Sequence, residues 1–151
     1  MNFNATVPGD PRGKGSVRVY NGRAMKDAKT AEYMTRAILA FQAAATDWTR
    51  LDGPWWVELR VYVERPKALV PKAKARTPQP PMGAFVAPCK PDVDNVAKAL
   101  LDALVQAGIV VDDKACVSLL VRKFYAAVWD VPRVEVTLGG VGEWSETAED
   151  R

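Results

Sequence analysis

The stretch from residue 65 to residue 89 rules out more folds than any other part of this chain. Six of the 11 prolines lie in it: Pro66, Pro71, Pro78, Pro80, Pro81 and Pro88. Proline removes a backbone donor and locks φ, so regular helix or inner strand is not expected through such a run. The fold has to be assembled from the two flanks, and a connection this long inside one domain is usually functional. Lys67, Lys72, Lys74 and Arg76 are spaced along it, which marks it as a segment that can settle on phosphates rather than a plain insertion.

The flanks carry periodic signals. Residues 3–7 form a strand candidate, followed by the loop Pro8-Gly9-Asp10-Pro11-Arg12-Gly13-Lys14-Gly15. Its glycines are not a Walker loop, because no Gly-Lys-Ser/Thr closes it. Residues 17–20 read as a strand entering the Asn21-Gly22 turn, with residues 23–25 returning as a hairpin. Thr30 can cap a helix to about Asp47, with Ala31, Met34, Ile38, Phe41 and Ala45 on one face. After the break at Asp52-Gly53-Pro54, residues 56–64 alternate as a half-buried strand, Val57, Leu59, Val61 and Val63 facing one way. Beyond the proline run, Asp94 or Asn95 can cap a second helix. Its apolar face is Val96, Ala99, Leu100, Ala103, Leu104 and Ala107, and Gly108 stops it. Residues 117–125 and 133–138 read as closing strands. The expected architecture is α+β: a small mixed sheet against two helices, one domain over residues 1–138, and a polar tail over 139–151 in which Trp144 alone invites docking.

At 151 residues, 48% hydrophobic and 26% charged, the chain has the composition of one globular domain. It shows no apolar run of the ~18–20 residues a membrane span needs and no signal peptide. Two cysteines, Cys89 and Cys116, fit a reducing, cytoplasmic setting. Histidine is absent, which removes Ser-His-Asp and Cys-His relays and His-ligated zinc. Catalysis, if present, falls to carboxylates, lysine, tyrosine or a bound metal. The net charge of +3 conceals a split: residues 1–90 sum to +8 and residues 91–151 to −5. A basic first part suits a polyanion. Six cations lie early, at Arg12, Lys14, Arg18, Arg23, Lys26 and Lys29.

The acids gather in Lys90-Pro91-Asp92-Val93-Asp94-Asn95-Val96-Ala97-Lys98 and in Val111-Asp112-Asp113-Lys114. Pro91 disfavours helix at Lys90, so the chain should arrive extended, with Asp92 and Asp94 on one side about 6–7 Å apart at Cα. Two carboxylates so placed can share a hard cation such as Mg²⁺. Lys98 follows one helical turn after Asp94, on the flank of the acids. Either Asp112 or Asp113 can return to the metal, and spacing does not choose between them. Each part also has a plain reading. Asp94 can be a helix cap, Asp92 turn chemistry, Asp112-Asp113 a solvated turn, and Lys98 with Asp102 a surface pair. The series is not a calcium loop, since Val96 takes the next ligand position.

Together, Lys90-Pro91-Asp92-Val93-Asp94-Asn95, Lys98, Leu101-Asp102-Ala103-Leu104, Gly108 and Asp112-Asp113 closely resemble the RusA family of Holliday junction resolvases. The early Val7-Pro8-Gly9 before a basic stretch is similar to that family's N-terminus. The resemblance implies a homodimeric, Mg²⁺-dependent endodeoxyribonuclease, with Mn²⁺ as a possible substitute, that cuts four-way DNA junctions in recombination and repair. It would work in the cytoplasm, encoded by a bacterium or a phage. Carried over by position, the catalytic acids and metal ligands fall on Asp92, Asp94 and Asp113 and the essential lysine on Lys98, with Asp112 a neighbour. Asn95 matches a position kept near the site, and Lys90 alone stands for the basic residues before the first acid. Arg12, Lys14, Arg18, Arg23, Lys72, Lys74 and Arg76 would grip the DNA backbone, with Lys90 and Asn95 close by. The sequence leaves open whether a base stacks on Phe85, Tyr20 or Trp144. It also leaves three rivals: a less selective nuclease for flaps or forks, a DNA-binding protein whose acids are structural, and an Asp-x-Asp phosphotransferase. The last is disfavoured because Pro88 and Pro91 interrupt the strand that should lead into Asp92.

Overall fold

A computed structural model of the chain describes residues 1–14, 18–25 and 28–142, with the backbone alone for 18–20, 24 and 25. The strand start at Val17, the cation Lys26 and the docking candidate Trp144 lie outside the described residues. The elements run β1 (Phe3–Pro8), β2 (Arg18–Tyr20), β3 (Arg23–Met25), α1 (Ala28–Ala44), β4 (Trp55–Val63), β5 (Phe85–Val86), α2 (Val93–Gln106), β6 (Cys116–Tyr125) and β7 (Arg133–Gly140). Five strands form a mixed sheet in the order β1-β7-β4-β6-β5, and β2 with β3 is a separate hairpin. The fold is α+β, as the sequence predicts.

Residue alternation explains the centre of the sheet. Trp55, Val57, Leu59, Val61 and Val63 on β4 are buried, so the inward set begins one residue earlier than the predicted strand. β4 pairs antiparallel with β7 and parallel with β6. β1 closes the far edge by pairing antiparallel with β7, Phe3 opposite Leu138 and Val7 opposite Val134. The hairpin turn is as expected: Asn21 and Gly22 take positive φ of 50° and 74°, the conformation that Asn-Gly adopts most easily.

The helices differ in detail from expectation. α1 begins at Ala28 and ends at Ala44, earlier at both ends than predicted. Its buried stripe is Tyr33, Ala37 and Phe41, while Ala31 is exposed and Met34 and Ile38 are half-buried. The helix is turned because it packs against both β1 and α2, so large Tyr33 fills the wedge that Ala31 would have left open. α2 buries the predicted face, Val96, Ala99, Leu100, Ala103 and Leu104, and Ala97 with it. The predicted tail also yields two residues to structure, since Gly139 and Gly140 end β7 opposite Trp56 and Trp55.

The Pro-rich run is not wholly irregular. Lys67–Leu69 makes a 3₁₀ turn, and β5 joins the sheet edge with Phe85 opposite Tyr125 and Val86 opposite Phe124. Arg65 organises the rest. Its guanidinium donates to the carbonyls of Ala126 (3.1 Å), Leu69 (3.3 Å), Pro81, Met82 (3.2 Å) and Gly83 (2.7 Å), and lies 5.0 Å over the Phe85 ring. A planar fork with five donors suits such a cluster; a lysine ammonium does not. Proline-rich backbone has few donors of its own, so its carbonyls need an outside partner. Replacing Arg65 with Met should therefore lower stability by about 2–3 kcal/mol in urea unfolding, and Arg65→Lys should recover less than half of it.

Candidate active site

The acid motif arrives on a strap along β6. After β5, the Ala87 N–H donates to the Lys123 carbonyl at 3.2 Å, and the Lys123 ammonium donates to the carbonyls of Cys89 and Pro91, the latter at 2.8 Å. Lys123 shares a strand face with Val121 and buried Tyr125, so its charge is directed inward and satisfied by main chain. The motif alone does not reveal this residue. A cation at an inward-alternating position of an apolar strand is the sequence signal that could have found it.

Pro91 and Asp92 then turn into α2, with Asp92 at the N-cap position (φ −68°, ψ 140°) and Asp94 in the first turn. This corrects the expected start: neither Asp94 nor Asn95 caps the helix, and the two acids are not on one extended segment. The first helical residue is Val93, because Pro91 restrains only the residue before it and the backbone beyond is able to coil. Asp92 makes no side-chain cap hydrogen bond. Both Asp92 and Asp94 are exposed. The ion pairs found among the described residues go elsewhere, joining Lys14 to Asp102, Arg60 to Glu58, and Arg133 to Asp130 and Glu135. Asp94 complements the positive end of the helix dipole. Lys98 stands exposed one turn further along α2.

The second acid segment is held by the connection between α1 and β4. The Leu51 N–H donates to the Ile109 carbonyl at 3.0 Å, and the Val111 N–H donates back to Leu51 at 2.9 Å. Two indoles add to this ladder: Trp48 Nε1 donates to Ile109 O at 2.9 Å and Trp55 Nε1 to Asp112 O at 3.1 Å. Asp112 and Asp113 have different duties. The Asp112 carboxylate caps the 3₁₀ turn Asp113–Ala115 by accepting from the Lys114 N–H at 2.9 Å, and that bond holds its pKa below the usual carboxylate value. Asp113 opens the turn itself, exposed, and the turn packs against α2. Among the described residues, no three His, Cys, Asp or Glu side chains form a group that could hold a metal ion as they stand.

The predicted DNA-contacting residues fall into three places. The N-terminal basic loop docks on the polar face of α2: Lys14 N–H donates to the Asn95 carbonyl at 3.0 Å and its ammonium pairs with Asp102 at 2.5 Å. Gly13 permits this approach, since a Cβ there would stand 2.6 Å from the Asn95 Cβ. Asp102 is thus paired with Lys14, not with Lys98 as the surface-pair reading has it. Arg12 and Asn95 are half-buried in this region. Arg18 and Arg23 sit on the β2–β3 hairpin, Arg23 exposed. Lys72, Lys74, Arg76 and Lys90 are exposed along the Pro-rich crossover.

Exposed carboxylates thus stand at the start of α2, with exposed Lys90 before them and exposed Lys98 one turn after Asp94. The comparisons with known proteins are specific: residues 8–139 match the endodeoxyribonuclease RusA family, and the chain belongs to that family. It is also similar to a curated protein of Bacillus subtilis (strain 168), "Uncharacterized protein YqaN". The two are 34% identical over 138 residues, which span 88% of this chain and 92% of the relative. No helix among the described residues is long and apolar enough to cross a membrane.

The strap makes a direct prediction. Lys123→Met should leave the Cys89 and Pro91 carbonyls without their partner and cost about 2 kcal/mol in chemical unfolding. Amide exchange should rise at Ala87 and Cys89 ahead of the β4–β7 core.

Proposed function

We propose that this chain is a divalent-metal-dependent endodeoxyribonuclease that resolves four-way DNA junctions by paired phosphodiester hydrolysis. Such work belongs to recombination and repair, in the cytoplasm of a bacterium or on phage DNA there. The observation that carries the reading is the start of α2 within a family-matched chain. There Asp92 and Asp94 keep exposed carboxylates that, among the described residues, neither cap the helix nor join an ion pair, with Lys98 one turn beyond Asp94. The donor chemistry fits a hard cation, Mg²⁺ or Mn²⁺, which prefers carboxylate oxygens and retained water over nitrogen or sulfur.

Asp92 and Asp94 would hold the ion from the helix start and Asp113 would supply a further carboxylate. Bound there, a divalent ion makes water nucleophilic at neutral pH and neutralises charge on the reacting phosphate. This removes the need for histidine, of which the chain has none. Lys98 would present a fixed ammonium to the scissile phosphate, stabilising the charge that grows there. Lys14, held on α2 by Asn95 and Asp102, borders the same helix face and is placed to meet the DNA backbone. Phosphate contacts of this kind position DNA without reading its sequence.

Paired cuts call for two copies, and the outer edge of β6 supports a homodimer. β5 pairs only with Phe124 and Tyr125, and among the described residues no other strand pairs with that edge. Val117, Leu119 and Leu120 there are 62, 47 and 43% exposed. An open apolar edge is a template for another strand. Antiparallel pairing about a two-fold axis is self-complementary, so the same edge of a second copy would meet it.

Two measurements test the proposal. Asp94→Asn should reduce Mg²⁺-dependent cleavage of a synthetic four-way junction by about 100-fold or more while preserving junction binding and melting temperature. Loss of folding and binding together would favour acids that are only structural, and equal cutting of linear duplex would favour a less selective nuclease. Leu119→Lys should shift the sedimentation mass from two chains to one and abolish paired incision; a monomeric parent protein would overturn the dimer.

A further inference from the structure

The turn joining β6 to β7 exposes an indole. Trp129 is 70% exposed, and Val128 and Val131 beside it are 37 and 65% exposed. This tip is stapled to the Pro-rich crossover: the Val128 N–H donates to the Met82 carbonyl at 2.9 Å, and Arg65, at the root of the crossover, donates to Ala126 at 3.1 Å. Met82 is itself 57% exposed. Tip and crossover therefore form one surface. The crossover carries a single sign of charge. From residue 65 to residue 91 there are six cations, Arg65, Lys67, Lys72, Lys74, Arg76 and Lys90, and no Asp or Glu. All but Arg65 are exposed. The acid nearest to Trp129 in sequence, Asp130, is engaged by Arg133 at 3.5 Å.

Of the aromatic side chains considered from sequence, Phe85 does not supply such a platform. Phe85 is half-buried, covered by Arg65 and packed on Tyr125 at 5.2 Å between ring centroids. Trp144 and the Tyr20 side chain lie outside the described residues. Trp129 escaped the sequence reading because it sits in no motif. The hydrogen bonds from 82 to 128 and from 65 to 126 join its turn to the crossover, within which the Lys72 N–H donates to the Gln79 side chain at 3.0 Å.

We infer that Trp129 and the basic crossover form a platform for unpaired DNA: one base stacks on the indole while Lys72, Lys74 and Arg76 neutralise the adjoining phosphates. An exposed aromatic beside a one-sign basic segment is the pairing by which proteins hold single strands without reading sequence. The inference rests on the DNA reading above and adds the form of DNA that this second surface takes. Met82 and Asp92 are about ten residues apart, which bounds their separation at about 35 Å, or about ten nucleotides along one strand. Unpaired bases at a branch point would thus be held beside the crossover that carries the acids.

The test uses the full chain without divalent metal, so that binding is read apart from cutting. The probes are a fluorescent oligothymidylate and a blunt duplex. Trp129→Ala should weaken oligothymidylate binding about ten- to hundredfold. Trp129→Phe should weaken it no more than about threefold. Both should leave duplex affinity and melting temperature as in the parent. Replacing Lys72, Lys74 and Arg76 together with Gln should lower the salt slope of oligothymidylate binding by about two. The platform is overturned if Trp129→Ala binds oligothymidylate as the parent does, if Ala and Phe weaken it equally, or if duplex binding falls in step. Junction cleavage with Mg²⁺ is scored separately. A parent that cuts no junction yet shows the Trp129 dependence sinks the nuclease reading and keeps the platform; a parent that cuts while Trp129→Ala binds normally sinks the platform alone.

Discussion

The parallel pairing of β4 with β6 is the constraint from which the rest of the structure follows. Antiparallel neighbours can be joined by a tight turn, whereas parallel neighbours need a crossover of a dozen residues or more. Here the crossover runs from residue 64 to residue 115 and holds the basic Pro-rich segment, β5, the strap, α2 and the 3₁₀ turn at Asp113. Every acid of the candidate site and seven exposed cations therefore lie on one connection, laid across or beside a single strand pair. The β4 side chains that face the core are large and apolar, so the strand pair is rigid and the crossover inherits a fixed base.

Charged groups spend much of their bonding on main chain. Arg65 gathers four carbonyls of the crossover and that of Ala126 just after β6, and Lys123 takes two of the strap. Prolines explain the need. A segment rich in Pro has carbonyls without matching N–H groups, and half-buried carbonyls left unbonded are costly. Cations on the neighbouring elements meet that demand and so set the position of the acids without touching them. Trp48 and Trp55 do the equivalent for the approach to Asp113 with indole N–H groups. Among the described residues, Asp92 and Asp94 stay exposed and outside the ion pairs, so they add little to folding energy.

Charge is segregated along the sequence and partly recombined in space. The basic N-terminal loop folds onto the acidic half through Lys14 and Asp102, while the crossover cations stay in solvent. Lys90 before the acidic helix start, Lys98 one turn after Asp94 and Lys14 on the same helix are the cations attached to it.

Much of this was legible in the sequence. Alternation of Val57, Leu59, Val61 and Val63, the spacing of Val96, Leu100, Ala103 and Leu104, and Asn21-Gly22 settle their elements locally, because the apolar period and the turn's positive φ are properties of neighbouring residues. The acid motif was readable for the same reason, as was the family it resembles. Three things depended on distant partners. Helix α1 turned to bury Tyr33 rather than Ala31 because it packs on both β1 and α2. Asp92, not Asp94, became the N-cap because the strap held by Lys123 delivers the chain to Val93. Strand order β1-β7-β4-β6-β5, the Arg65 cluster and the attachment of the Trp129 turn to the crossover at Met82 rest on bonds between residues tens of positions apart. Side-chain periodicity carries no information about such pairings, since any strand of the right pattern can bury the same face; which one it meets is decided only when the whole core closes.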